Sequence, residues 1–325
     1  MMRSRGVALV ATFAVLVGVP SGPAAAQQME RTTDRRADEG EGPFPRLILR
    51  GATVIDGTGA PPRGPVDIVI ENDRIAVVRS VGFPGVPINE ERRPGDATRE
   101  VDVAGMFVMP GFIDMHAHTG GSGKAPQPEY VYKLWLGHGI TTSRGVPHGG
   151  FEWSLEEKAR AARNEIVAPR MFAYVRPGSG EGWEGPIDSP DAAREWVRWA
   201  AAQEIDGQRI DGLKLGAYDP QIMEALIDEA HNHGLGTVAH LDQMGIARMT
   251  AMDAARLGLD MVTHYYGLFE SMLENYSIQD WPLDYNYNDE SHRFGQVARL
   301  WDQIHEPGSE KWTPRSRSSS ISASA

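Results

Sequence analysis

After Pro110 the chain falls into a rhythm that leaves it few choices of fold. Short apolar runs alternate with helix-like stretches, six times in succession. Phe112 to Met115 precedes Pro128 to Gly137, and Ile140 to Ser143 precedes Leu155 to Asn164. Arg170 to Val175 precedes Asp191 to Glu204, and Gly212 to Leu215 precedes Gln221 to His233. Gly236 to His240 precedes Gly245 to Leu257, and Met261 to His264 closes the series. Alternating strand and helix patterns predict a parallel sheet with helical crossovers. The strands are apolar on both faces, as strands buried on both sides are. The spacing predicts an α/β fold with the layout of a TIM-like (β/α)8 barrel, here incomplete at about six βα units.

The chain before this region is of different kinds. Residues 1–26 carry Arg3 and Arg5, an apolar run from Gly6 to Val19, and Ala24-Ala25-Ala26 before Gln27. The run is shorter than the roughly 20 residues a membrane helix needs, and the small residues suit a signal peptidase. The segment is expected to be a cleaved secretory signal, making the mature protein periplasmic or secreted and free of the membrane. Its removal takes two positive charges, so the formal net charge moves from −12 to −14. A pI near 5.3 argues against a nucleic-acid partner, which needs a basic stripe. The absence of cysteine excludes disulfides, a thiolate zinc site, a Cys nucleophile and a lipidated N-terminal Cys. Residues 27–45 are polar and charged and read as a flexible leader. Residues 46–109 hold short β runs, two of them joined at Asn72-Asp73, a hairpin signal. This part is expected to be a small β-sandwich portion, with residues 110–312 forming the partial barrel. Residues 275–288, rich in Tyr, Trp, Asn and Asp, read as a loop or lid, and residues 291–304 as a last amphipathic helix. The tail 313–325 has six Ser in 13 residues and no strand pattern; it reads as disordered.

Chemistry concentrates at strand ends. In Asp114-Met115-His116-Ala117-His118 the two imidazoles stand at i and i+2 of a strand, so they share a face. Lys214 ends Gly212 to Leu215, His240 ends Gly236 to His240, and His264 ends Met261 to His264. Lys214 and His240 are 26 residues apart, and His240 and His264 are 24 apart. An α/β barrel spends about 30 residues per unit, and its chemistry sits at the C-terminal strand ends. A lysine in such an apolar mouth is costly unless neutralised or paired. Two neutral imidazoles on one face suit a divalent ion. His148, just after the second strand, and Tyr174 and Arg176, ending the third, are placed to contact substrate. An Arg there suits a carboxylate. Trp196 and Trp199, three apart on a helix, read as packing residues.

With these residues in hand, the sequence resembles the amidohydrolase superfamily of metal-dependent hydrolases. Gly51-Ala52-Thr53-Val54-Ile55-Asp56-Gly57-Thr58-Gly59 is similar to that family's N-terminal β-sandwich opening. Val108-Met109-Pro110-Gly111-Phe112-Ile113-Asp114-Met115-His116-Ala117-His118 is similar to its first barrel strand, and Gly139-Ile140-Thr141-Thr142-Ser143-Arg144 to its second. The resemblance runs from about Leu47 to His264. It implies that His116 and His118 hold one metal ion and His240 and His264 a second, with Lys214 carboxylated as an anionic bridge. Zinc is the first expectation for the two ions, with manganese, iron or cobalt as alternatives. It further implies a metal-activated water that attacks a small-molecule substrate at a carbon–nitrogen bond other than a standard peptide bond, such as a cyclic amide or a dipeptide-like amide. In that family an Asp ending the eighth strand takes the water's proton. After His264 the aspartates are Asp280, Asp284, Asp289 and Asp302, and none ends an apolar β run. The catalytic acid–base residue therefore has no candidate of that kind, and the family pattern calls for roughly another 100 residues. The expectation is a C-terminally truncated or frameshifted chain, weakly active or inactive, with a non-catalytic exported metal-binding protein as the alternative.

Overall fold

The computed structural model describes residues 29–119, 127–242, 245–273, 282–286, 288–306 and 308–309. The signal segment 1–26, the tail 313–325 and most of the aromatic stretch 275–288 lie outside the described residues.

The first sheet contains β1 (Arg46–Val54), β2 (Arg63–Glu71), β3 (Arg74–Ser80), β4 (Arg99–Asp102) and β5 (Phe107–Val108). Its order is β3-β2-β1-β4, with β5 also beside β1. β2 and β3 are antiparallel partners across the Asn72-Asp73 turn, where Asn72 takes a φ of 54°. The apolar residues on either side of Gly51 form a single strand. Gly51 makes this possible: its φ is +77°, and a side chain there would press on Ala104. The resulting irregularity in β1 is held by Asp67 of β2, fully buried, which accepts from the Gly51 N–H at 2.9 Å and from Arg50 at 2.8 Å.

The second sheet holds β6 (Phe112–Ala117), β7 (Ile140–Gly145), β8 (Arg170–Val175), β9 (Gly212–Leu215), β10 (Gly236–Ala239) and β11 (Met261–Val262). All neighbours are parallel and in sequence order, β6 and β11 forming the edges. Between the strands run α1 (Pro128–Gly137), α2 (Phe151–Ala162), α3 (Pro190–Ala202), α4 (Pro220–Asn232) and α5 (Ala251–Arg256); α6 (Glu290–Ala298) follows β11. This is an α/β half-barrel of six strands. No helix among the described residues is long and apolar enough to cross a membrane.

The helices form for legible reasons. Ser189 caps α3 by accepting from the Ala192 N–H at 3.2 Å, and Pro190 sits where its missing N–H costs nothing. Ala193, Trp196, Val197 and Ala200 then follow at i, i+3, i+4 and i+7, one buried stripe against the sheet. Trp196 is a core residue, as expected, and its indole N–H donates to the Ser179 carbonyl at 3.1 Å. The main core lies between β8, β9, β10 and the facing sides of α3, α4 and α5, including Leu213, Leu215, Met223, Leu226 and Ala239. The helix expected over Gly245 to Leu257 is shorter, because Thr250 and Asp253 form a reciprocal capping box that starts α5 at Ala251.

The leader departs most from expectation. Its residues from Glu30 onward lie along α2 and α1 as a strap. Thr32 donates through its backbone N–H to Glu157 at 3.3 Å and through its hydroxyl to the other carboxylate oxygen. Arg160 donates to Glu157 at 2.6 Å, to the Thr32 carbonyl at 2.7 Å and to Asp34 at 2.5 Å. Glu157 and Arg160 are 1% and 3% exposed, so the strap seals a buried ion pair. A charged segment that reads as solvated is held because α2 carries the matching charges.

Candidate active site

Each strand of the half-barrel delivers its side chains by alternation. In β8, Met171, Ala173 and Val175 are buried against the helices, while Phe172 and Tyr174 face the barrel interior, and Arg176 follows in the same phase one pleat higher. The register sets Tyr174 opposite Gly212 and Gly212 opposite Gly236, and Lys214 opposite Val238. His240 stands one pleat above Val238. The C-terminal ends of five strands thus meet around one cleft of about 370 Å³, lined by His116, His118, Arg176, Lys214, His240, His264, Tyr266, Arg293 and Phe294.

His264 reaches this cleft by a different route. β11 ends at Val262, and Thr263 already points inward, where its hydroxyl accepts from Lys214 Nζ at 3.0 Å and donates to the Ala239 carbonyl at 3.2 Å. Strict alternation would send the next side chain outward. A φ of 62° at His264 turns its ring inward, with ring centroids 4.6 Å from His116 and 4.8 Å from His240.

The electrostatics follow from crowding like-charged groups in a partly enclosed space. Burial, then Lys214 and the neighbouring imidazoles, push His116 down to about 3. Burial, then His264 and Lys214, push His240 down to about 4. Burial and the guanidinium groups of Arg176 and Arg144 bring Lys214, 2% exposed, down to about 7. Near neutral pH His116 and His240 are therefore uncharged and a substantial part of Lys214 is free amine. The tautomer of His118 is fixed by its partner: Nδ1 lies 3.0 Å from the Pro147 carbonyl, which can only accept. Nδ1 thus carries the proton, and Nε2 presents a lone pair 3.2 Å from His116 Nε2.

Two imidazole nitrogens sharing one tetrahedral ion at about 2.0–2.1 Å sit about 3.3–3.4 Å apart, so the His116–His118 pair has a spacing a metal would use. The donor set as a whole, four imidazoles and the Lys214 amine, also suits divalent ions. Among the described residues, however, no group of three or more His, Asp or Glu side chains is arranged to hold an ion as it stands. The chemistry of the donors fits a metal.

The structure gathers all five residues singled out at the strand ends, together with Arg176. It places the other two substrate candidates elsewhere. Tyr174 lies below the cleft over Gly212 and Gly236, with the Arg144 guanidinium 4.9 Å above its ring. His148 is buried on the helix side of the sheet, bonded to Thr119 and Ser143, and burial takes it down to about 4. Three cleft residues went unread in the sequence. Tyr266 follows the last strand end by two residues, a signal within reach; Arg293 and Phe294 arrive from α6, whose pattern gave no hint of which face meets the cleft. Of the aspartates after His264, the described ones do not line it: Asp289 caps α6, and Asp284 and Asp302 are exposed; Asp280 lies outside the described residues. Among the described residues, no acid lines the cleft.

No family model matches the chain. Among curated proteins it is 34% identical over 195 residues to N-acyl-D-aspartate deacylase of Alcaligenes xylosoxydans xylosoxydans, covering 58% of this chain and 35% of that protein. It is 22% identical over 226 residues to dihydroorotase of Elusimicrobium minutum, covering 67% and 48%, and 28% identical over 182 residues to enamidase of Eubacterium barkeri, covering 53% and 46%. The chain therefore spans between a third and a half of the length of these relatives. Among solved structures, molinate hydrolase superposes with a TM-score of 0.52 at 15% identity, covering 79% of this chain and 62% of that one. A crystal structure of an amidohydrolase superposes with a TM-score of 0.50 at 19% identity, covering 67% and 60%. These likenesses show the fold.

Proposed function

Since the chain belongs to the amidohydrolase superfamily, we propose that it serves the hydrolysis of a carbon–nitrogen bond other than a standard peptide bond, in a small cyclic or dipeptide-like amide, with metal-activated water as nucleophile. The supporting observation is the convergence of His116, His118, Lys214, His240 and His264 on one cleft at the strand ends. His116 with His118, and His240 with His264, would each hold one divalent ion, zinc first among the candidates. When bound, such ions polarise a carbonyl and lower the pKa of a bound water.

The rest is the work of the chain's own groups. The Lys214 amine, pushed down to about 7, attacks the carbon of CO₂ and releases a proton, giving an anionic carbamate between the two histidine pairs. Conversion to an anion removes the positive charge that burial penalises. Arg176 and Arg293 at the cleft wall would orient an anionic substrate group, such as a carboxylate. Tyr266 and Phe294 narrow the opening and displace water beside it. The small-molecule substrate enters with no nucleic acid involved, and the mature protein acts outside the cytoplasm after loss of residues 1–26.

One observation favours a second reading, a non-catalytic exported metal-binding protein. Among the described residues no acid lines the cleft, and a metal-bound water there would lack a carboxylate to take its proton. Elemental analysis of the purified chain, paired with a panel of cyclic amides, N-acyl amino acids and dipeptides, separates the readings. Bound divalent metal with hydrolysis that is lost on chelation and in Lys214→Ala supports the enzyme. Metal without hydrolysis of any amide supports the binding protein. A chain that takes up no divalent metal sinks both.

A further inference from the structure

His148 takes no part in the chemistry just described, yet it is tied closely to a residue that does. The alternation of β7 sends Arg144 into the barrel and Ser143 and Gly145 toward the helices, so His148 sits behind the cleft rather than in it. It is 2% exposed and packs on the backbone of Gly145, where a Cβ would come within 2.0 Å of its ring. Its Nδ1 meets the Thr119 hydroxyl at 2.8 Å and its Nε2 meets the Ser143 hydroxyl at 3.3 Å, both partners fully buried. A neutral imidazole has one donor and one acceptor, and either tautomer can bridge two hydroxyls that rotate to suit.

The bridge spans two strand ends. Thr119 directly follows His118 at the end of β6, and Ser143 belongs to β7. The turn between β7 and His148 is sewn to the same strand end by its backbone: Val146 donates to the Ala117 carbonyl at 3.1 Å, and Thr119 donates to the His148 carbonyl at 3.3 Å. Within this turn lies the Pro147 carbonyl that accepts from His118 Nδ1 at 3.0 Å. The Pro147 carbonyl that holds the His118 ring thus lies in the turn that the His148 side chain clamps.

We propose that His148 is a positioning residue: by bridging Thr119 and Ser143 it holds the Pro147 carbonyl where it fixes His118 as the Nδ1–H tautomer, with the Nε2 lone pair turned into the cleft. The consequence for metal affinity rests on the reading of His118 as a ligand; the consequence for the tautomer does not. Partners that orient a ligating histidine typically contribute 10- to 100-fold in metal affinity.

The test uses His148→Phe, which keeps a buried ring but makes no bridge, with two readouts on the full chain. Long-range ¹⁵N–¹H spectra of the metal-free protein report the His118 tautomer, and zinc titration against a chelating dye reports affinity. The wild type is expected to show one Nδ1–H tautomer at His118. In the variant its ring nitrogens should shift toward averaged values, and zinc affinity should fall about 10- to 100-fold. A variant that keeps the wild-type tautomer signature overturns the proposal, whether its zinc affinity falls or not. A wild-type chain that binds no zinc would sink the metal reading of the cleft, and the tautomer readout would still decide the role of His148. Should His148→Phe lose its dispersed amide spectrum, Thr119→Val removes one end of the bridge without changing side-chain shape, and the same two outcomes apply.

Discussion

At His264 the backbone leaves strand geometry, and the φ of 62° there costs about 1–3 kcal/mol for a residue with a side chain. What it gains is position: two successive residues, Thr263 and His264, both face the cleft. The sequence made the identity of this residue legible, because it ended an apolar run at the right interval. Its left-handed conformation was not legible, because nothing in Met-Val-Thr-His marks the point where alternation must break. A few residues on, Glu270 is 3% exposed, and neither carboxylate oxygen has a partner among the described residues. Burial raises its pKa from the usual 4.5 to about 7. The folded state therefore holds a proton that the unfolded chain gives up between pH 4.5 and 7, and stability falls as pH rises through that window. Glu270→Gln should flatten this slope. It should match the wild type near pH 4.5 and exceed it by roughly 2–3 kcal/mol above pH 7. Urea denaturation at pH 4.5, 6 and 7.5 measures the difference, and parallel curves for the two proteins would disprove the assignment.

Elements with strong local signals were read well from sequence. α1, α3 and α4 begin at or beside prolines and carry apolar residues at helical spacing, so their limits were visible. The strap was not. Its composition matched a solvated segment, and its partner Glu157 lies 125 residues further on, beyond any local pattern. The energetic weight of that contact is testable. Replacing Arg160 by Met leaves the Glu157 carboxylate buried with the Thr32 contacts alone, and removing one member of a buried ion pair costs about 3–5 kcal/mol. The double variant Arg160→Met with Glu157→Leu should recover much of the loss, since no charge is then stranded. Thermal unfolding of the three proteins measures both steps, and a single variant as stable as the wild type would show that the strap carries no weight.

For the molecule as a whole, the charge distribution is uneven: a chain of formal charge −12 lines its cleft with Arg176, Arg293 and Lys214 and, among the described residues, with no acid. Sequence totals hid this, because three basic residues far apart in the chain converge through the fold. The parallel order of the sheet was easier to foresee, since short crossovers place consecutive strands side by side. Export is the expectation that belongs to this scale. Expressed in a bacterial host from its first methionine, the protein should be recovered outside the cytoplasm with Gln27 as its first residue, by fractionation and intact-mass measurement; a cytoplasmic product retaining residues 1–26 would refute it. The strap adds a constraint on timing. Thr32 is made well before its docking partner Glu157, which emerges 125 residues later. At a synthesis rate of about 5–20 residues per second this is a delay of roughly 6–25 s. Throughout it the strap stays an open thread, and it is drawn down only when α2 has formed.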